Sequence, residues 1–167
     1  MPEVLNICLV GCGRISKRHS ELLGNNLIRN ASLAGVCDLE ISKAREIGEK
    51  FKVPYFDDMH KMMSAIRPDV VVILTESGNH AANTIDLAIY KAHIVVEKPM
   101  ALSLKDADKM IEVCKENNIN LYVIKQNRFN LPILKLKEAL NTGRFGKLVL
   151  GTVRVRWCRD QSYYDQA

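Results

Sequence analysis

Three short stretches carry residues whose types and spacing could do chemistry. The first is Gly11-Cys12-Gly13-Arg14-Ile15-Ser16. Two glycines one residue apart, between an apolar run and a helical pattern, permit a tight turn and let the backbone approach a diphosphate, whose charge then sits at the helix N-terminus. Ser16 stands where a third glycine is usual, and it is small enough to keep helix and sheet in contact. The same pattern also suits a structural turn, or the loop that cradles S-adenosylmethionine in methyltransferases. The second is Asp38, 25 residues beyond Gly13, at the end of the next apolar run. A carboxylate there accepts hydrogen bonds from an adenosine ribose and repels a 2′-phosphate. Leu39 beside it supplies no compensating cation, so NAD is favoured over NADP. Asp38 could equally cap the following helix, and a methyltransferase needs an acid in the same place. The third is Glu97-Lys98-Pro99, directly after a strand. At a strand's carboxyl end these residues put a carboxylate and an ammonium into the ligand crevice. Beside an oxidised nicotinamide, Lys98 would meet a positive neighbour and partial desolvation, both of which favour proton exchange near neutrality. Taken alone, the tripeptide reads more simply as a surface ion pair ahead of a helix-starting proline.

Such residues need a scaffold, and the apolar pattern supplies one. Short β-type runs at 4–10, 33–37, 54–56, 70–74, 93–96 and 120–124 alternate with helical patterns at about 14–23, 41–50, 59–66, 80–90 and 104–117. Ile41, Ala44, Ile47 and Phe51 recur at helical spacing, Ser103 suits an N-cap, and Arg67-Pro68-Asp69 breaks the chain ahead of Val70-Val71-Val72-Ile73-Leu74. Strands alternating with helices predict an α/β domain, a Rossmann-type doubly wound parallel sheet, over residues 1–126. Residues 127–167 read as a connecting helix (131–140, ended by Asn141-Thr142-Gly143) and the first strand, Lys147 to Trp157, of a truncated second α+β domain. That strand has no partner in this chain, and an unpaired edge recruits other chains, so a homo-oligomer assembled through it is expected.

Composition narrows the function classes. Of 167 residues, 47% are hydrophobic, 26% charged and only 6% aromatic, as in a globular chain with an aliphatic core. The net charge is +5, but 24 basic residues are interspersed with 19 acidic ones, and no basic run suggests a nucleic-acid partner. An anionic small-molecule substrate fits better. The five cysteines form no CxxC pair and no metal-ligand spacing, and Cys8 and Cys37 read as reduced core residues. No signal peptide and no membrane-length apolar run is visible, so a cytoplasmic protein without membrane attachment is expected.

Gly11-Cys12-Gly13-Arg14-Ile15 together with Glu97-Lys98-Pro99 resembles the glucose–fructose oxidoreductase / inositol dehydrogenase family of NAD(P)-dependent sugar oxidoreductases. The resemblance covers the whole chain. Within that family, Val96 to Leu102, Lys125 to Asn130 and Arg154 to Gln161 look like the UDP-N-acetylglucosaminuronate 3-dehydrogenases of bacterial lipopolysaccharide O-antigen biosynthesis. The run Arg156-Trp157-Cys158-Arg159-Asp160-Gln161 is the most specific of these matches.

The resemblance implies roles residue by residue. It puts Gly11, Gly13, Arg14 and Ile15 in the cofactor loop, Asp38 on the adenosine ribose, and Leu74, Thr75 and His80 along the nicotinamide side. Glu97 would bind the nicotinamide ribose. Lys98 would be the active-site lysine, touching both cofactor and substrate. Asn127 would lie near the cofactor's reactive end and Arg128 near the substrate. Arg156 and Arg159 are candidates for a sugar acid's carboxylate or pyrophosphate, since a guanidinium fork matches both; they suit a solvated sheet face equally well. The family's second catalytic group, a histidine, would lie beyond Ala167. The chain is therefore expected to bind NAD and a UDP-sugar acid partner in its full-length form, and to lack turnover by itself. A non-catalytic nucleotide-binding module, or a relative acting on another sugar or an inositol, is the alternative. His19 reads as packing or surface, and His60 and His93 lack a partner at ligand spacing. Tyr163-Tyr164-Asp165 reads as a frayed end that could contact substrate in a longer chain.

Overall fold

Apolar residues occupy every position of the strand Val70–Ile73, and all four are buried, which demands cover on both faces of the sheet. The computed structural model of the chain, which describes residues 4–164, provides it. The strands β1 (Leu5–Val10), β2 (Ala31–Cys37), β3 (Tyr55–Phe56), β4 (Val70–Ile73), β5 (His93–Val96) and β6 (Leu121–Val123) form one sheet in the order β3-β2-β1-β4-β5-β6. Every neighbouring pair is parallel. Side chains alternate across it, as a pleated strand requires. Cys8, Val10, Val71, Ile73, Ile94 and Val96 pack with Met62 and Met63 of α3 (Met59–Ile66), Leu87 of α4 (His80–Leu87) and Met110 of α5 (Leu104–Glu116). Leu9, Val72 and Leu74 pack instead with Leu23 of α1 (Ser16–Gly24) and with Ala44 and Ile47 of α2 (Ile41–Phe51). Each fully buried large side chain stabilises the fold by about 1.5–3 kcal/mol. The strand order runs outward in both directions from β1 and β4, so a crevice opens between the carboxyl ends of those two strands.

Local chemistry sets the helix ends. Ser103 caps α5, accepting from the Asp106 amide at 3.1 Å, and Asp58 caps α3, accepting from the His60 and Lys61 amides. The first helix starts at Ser16 rather than Arg14, because residues 11–15 are spent on the glycine turn. The expected helix over 80–90 stops at Leu87 and tightens into a 3₁₀ turn, Ala88–Tyr90, before Lys91 takes a left-handed conformation.

The chain divides into two units, Met1–Lys125 and Gln126–Ala167. In the second, α6 (Leu131–Asn141) has a proline in its first turn and ends with the Thr142 hydroxyl donating to the Glu138 carbonyl at 2.9 Å. A short α7 covers Gln161–Tyr164. The expected strand from Lys147 to Trp157 does not form: these residues have no regular structure and are exposed throughout. Alternation selects a face, but a strand also needs a neighbour to receive its backbone hydrogen bonds, and among the described residues it has none. Asp165 and the side chains of Tyr163 and Tyr164 lie outside the described residues.

Candidate cofactor and active site

The glycine turn is built against the end of β4. Gly11 has φ +97°, and a Cβ on it would lie 2.7 Å from the Leu74 carbonyl carbon and the Thr75 nitrogen, so no other residue fits. Its amide donates to the Cys37 carbonyl at 2.8 Å, tying the turn to β2. A Cβ on Gly13, by contrast, would meet nothing within 4 Å. Gly13 therefore borders open space at the mouth of the turn. Ser16 binds the Gly13 carbonyl through both its amide and its hydroxyl, which anchors the start of α1. Arg14 and Ile15 are exposed on the outer side of the turn.

Asp38 follows β2 and grips this turn. One carboxylate oxygen accepts from the Cys12 amide at 2.7 Å, the other from the Glu40 amide at 2.9 Å. The N-cap position of α2 belongs to Glu40, so Asp38 is not the helix cap that its spacing also allowed. Cys12 is buried with its sulfur 3.5 Å from the Cys37 carbonyl. Burial first, and then Asp38 and Cys37, push the Cys12 thiol up to about 12; burial raises Cys8 and Cys37 to about 12 as well. None of these thiols is a nucleophile at neutral pH.

The exit from β4 is held from behind. Leu74 is buried, and its amide donates to the Val10 carbonyl at 2.7 Å. The Thr75 hydroxyl accepts from Asn83 at 2.9 Å. His80 is 1% exposed, with Nδ1 2.7 Å from the Pro99 carbonyl and Nε2 3.0 Å from the Thr75 carbonyl. Both contacts are hydrogen bonds at once only when both ring nitrogens carry a proton. The His80 ring thus lies between the loop after β4 and the loop after β5, with a carbonyl oxygen from each beside it.

Glu97 is buried where β5 ends. Its amide donates to the Ile73 carbonyl at 3.0 Å, one carboxylate oxygen accepts from the Lys98 amide at 3.0 Å, and the other lies 3.3 Å from His19 Nε2. The Lys98 side chain is exposed, and among the described residues its ammonium forms no ion pair. The surface Glu97–Lys98 pair that the tripeptide also allowed is therefore absent. The peptide bond from Lys98 to Pro99 is cis.

His19 is the residue that sequence reasoning missed. Expected to serve packing or the surface, it contacts Glu97. Ser16, Ser20 and Leu23 form the buried stripe of α1, and His19 flanks it; a helical projection would have turned it toward the sheet, but not toward β5. Asn127 and Arg128 are exposed in the turn before α6, with Asn127 Oδ1 accepting from the Asn130 side-chain amide at 3.3 Å. Arg156 and Arg159 are exposed in the second unit, and the Arg159 guanidinium lies 4.9 Å from the centre of the Trp157 ring.

Gly11, Gly13, Asp38, Thr75, Glu97 and Lys98 thus gather at the carboxyl ends of β1, β2, β4 and β5. The open space beside Gly13 and the two carboxylates that flank the turn fit a dinucleotide. Two surface depressions of about 370 and 310 Å³ lie elsewhere, one lined by Met63, Arg67 and Tyr90 and the other by Met100, Ile111 and Leu121. Among the described residues no three His, Cys, Asp or Glu side chains could hold a metal ion, and no helix is long and apolar enough to cross a membrane.

Known proteins share this fold. A family model described as an oxidoreductase family with an NAD-binding Rossmann fold, GFO_IDH_MocA, matches residues 5–125. Myo-inositol 2-dehydrogenase of Thermotoga maritima is 33% identical over 144 residues, which is 86% of this chain and 42% of the relative. The WlbA dehydrogenase of Bordetella pertussis, solved with NADH and UDP-GlcNAcA, is 35% identical with TM-score 0.91, covering 99% of this chain and 50% of that one. Its counterpart from Chromobacterium violaceum, solved with the same two ligands, is 32% identical with TM-score 0.93, covering 100% and 48%. The chain therefore spans half or less of the length of these relatives. The glycine turn, the parallel sheet behind it and the family match over residues 5–125 make this chain a member of the glucose–fructose oxidoreductase / inositol dehydrogenase family, with its NAD-binding Rossmann domain.

Proposed function

We propose that this chain is the cofactor-binding part of an NAD-dependent dehydrogenase that oxidises C3 of UDP-N-acetylglucosaminuronic acid in lipopolysaccharide O-antigen sugar biosynthesis. The observation that carries this reading is the gathering of the glycine turn, Asp38, Glu97 and Lys98 around one crevice. The substrate assignment is supported by 35% identity, over 99% of the chain, to a dehydrogenase solved with NADH and UDP-GlcNAcA. NAD, when bound, supplies the acceptor for the hydride that leaves the sugar carbon. Gly11, Gly13, Arg14 and Ile15 receive the pyrophosphate on the turn, and Asp38 takes the adenosine ribose diol. Leu74 and Thr75 line the nicotinamide side, with His80 holding their loop. Glu97 orients the nicotinamide ribose. Lys98 takes the proton of the sugar hydroxyl or donates a hydrogen bond to the developing alkoxide. Asn127 stands near the reactive end of the cofactor, and Arg128, Arg156 and Arg159 receive the sugar's carboxylate or pyrophosphate. The protein works in the cytoplasm as a homo-oligomer in which residues 147–157 pair with a strand of another subunit.

This stretch should bind NAD without turnover, because it spans half or less of its relatives' length and lost orientation of the sugar removes several powers of ten in rate. A second reading, oxidation of an inositol, is favoured by the 33% identity to myo-inositol 2-dehydrogenase. Titration with NAD, paired with NADH absorbance on UDP-N-acetylglucosaminuronate and on myo-inositol, separates the two readings when run on this chain and on a matching chain of its relatives' length. In a matching chain of that length, Lys98→Met should keep NAD affinity and cut turnover at least about a hundredfold. Full activity of that variant removes Lys98 from the chemistry, and turnover on neither substrate ends both readings.

A further inference from the structure

Glu97 is 8% exposed, and its carboxylate carries a polar contact on each oxygen. One is local, from the Lys98 amide next in sequence, at 3.0 Å. The other comes from a different element 78 positions away: His19 Nε2, at 3.3 Å, on the helix that opens at the glycine turn. A carboxylate removed from water is costly unless its oxygens are bonded, and its direction is set by whichever donors bond it. The Lys98 amide moves with Glu97 and cannot fix it relative to the turn. His19 can. Ser16 ties α1 to the Gly13 carbonyl, and His19, one helical turn on, ties α1 to Glu97. A continuous path of bonded groups thus runs from the turn that meets the pyrophosphate to the backbone of the lysine.

We propose that His19 is a positioning residue: it donates from Nε2 to the Glu97 carboxylate and so sets the distance between the glycine turn and the group that receives the nicotinamide ribose. His19 does not touch the cofactor in this scheme; it acts only through Glu97. The proposal rests on the reading of Glu97 as the nicotinamide-ribose ligand, and the two fail in distinguishable ways.

The test compares two ligands by calorimetric titration of the chain. NAD reaches both the turn and Glu97, whereas ADP carries the adenosine and pyrophosphate but no nicotinamide ribose. His19→Ala should weaken NAD about tenfold, the scale of one hydrogen bond to a charged group, and leave ADP within about twofold. His19→Gln, which keeps an N–H donor at similar reach, should recover most of the lost affinity. In a Glu97→Ala background, His19→Ala should change NAD affinity no further. Parallel losses of NAD and ADP would mean that His19 only packs α1, and would overturn the proposal. So would unchanged NAD binding in His19→Ala, or a His19 effect that persists without Glu97. If Glu97→Ala itself leaves NAD affinity untouched, the Glu97 reading falls and the proposal with it; a Glu97 effect without a His19 effect sinks the proposal alone. Should the alanine variant not fold, His19→Phe retains ring volume without a donor and answers the same question.

Discussion

Helices α5 and α6 invite comparison, because their sequences promise the opposite of what they do. α5 has lysines, aspartates and glutamates through most of its length, yet it buries Met110, Val113 and Cys114 against the sheet. α6 is the more apolar, with Leu131, Ile133, Leu134, Leu136 and Leu140, and buries none of them. The same contrast separates β4, buried at every position, from residues 147–157, whose Val149, Val153, Val155 and Trp157 are all exposed. A helix closes its backbone bonds internally and forms wherever propensity and end signals allow. Apolar side chains gain stability only where a complementary surface removes them from water. The N-terminal unit contains both halves of that bargain, and the C-terminal unit contains one.

Three measurements can break or sharpen this contrast. The largest difference should appear in stability. Leu9→Ala leaves a cavity in a fully buried site and should cost about 2–5 kcal/mol in urea unfolding, whereas Leu136→Ala, on the exposed face of α6, should stay within about 0.5 kcal/mol. Comparable losses would mean that α6 is buried in solution.

Thiol reactivity should come next. Cys158 is exposed and the other four cysteines are buried. Burial holds Cys8, Cys12 and Cys37 at about 12, so little thiolate exists at pH 8. Alkylation followed by mass spectrometry should modify the exposed Cys158 at least about a hundredfold faster than those three, which are buried and carry little thiolate. Rapid modification of Cys12 would show that the glycine turn opens on its own.

The smallest effect concerns cofactor choice, and it asks whether the N-terminal unit discriminates by itself. NAD should bind at least about tenfold more tightly than NADP, or about 1.4 kcal/mol, and Asp38→Ala should narrow the gap. The same preference should survive in a chain ending at Lys125. Equal affinities in the unaltered protein remove Asp38 from the discrimination; loss of the preference on shortening gives the second unit a part in it.

Much of the N-terminal unit was legible in the sequence, because its signals are local or periodic. Val70-Val71-Val72-Ile73 could only be a doubly covered strand, and Ser103 and Arg67-Pro68 marked their boundaries by side-chain and backbone chemistry alone. Gly11 was readable for the same reason, since a left-handed residue at the end of a strand needs no distant information. The partners of Glu97, Asp38 and His80 were not readable. The bonds from Asp38 to Cys12, Glu97 to His19 and His80 to Pro99 join residues 26, 78 and 19 positions apart, and no periodicity encodes which loop meets which.

The sequence by itself therefore determined the alternation of strands and helices, the glycine turn and the acid after β2, since backbone sterics and apolar periodicity act over a few residues. Only the tertiary structure decided that Glu97 turns to His19 and the Lys98 amide instead of the Lys98 ammonium, that His80 spans two loops, and that residues 147–157 remain without a ladder. Those outcomes depend on which donors and acceptors folding brings within about 3 Å of one another, and that distance is a property of the packed sheet, not of any segment within it.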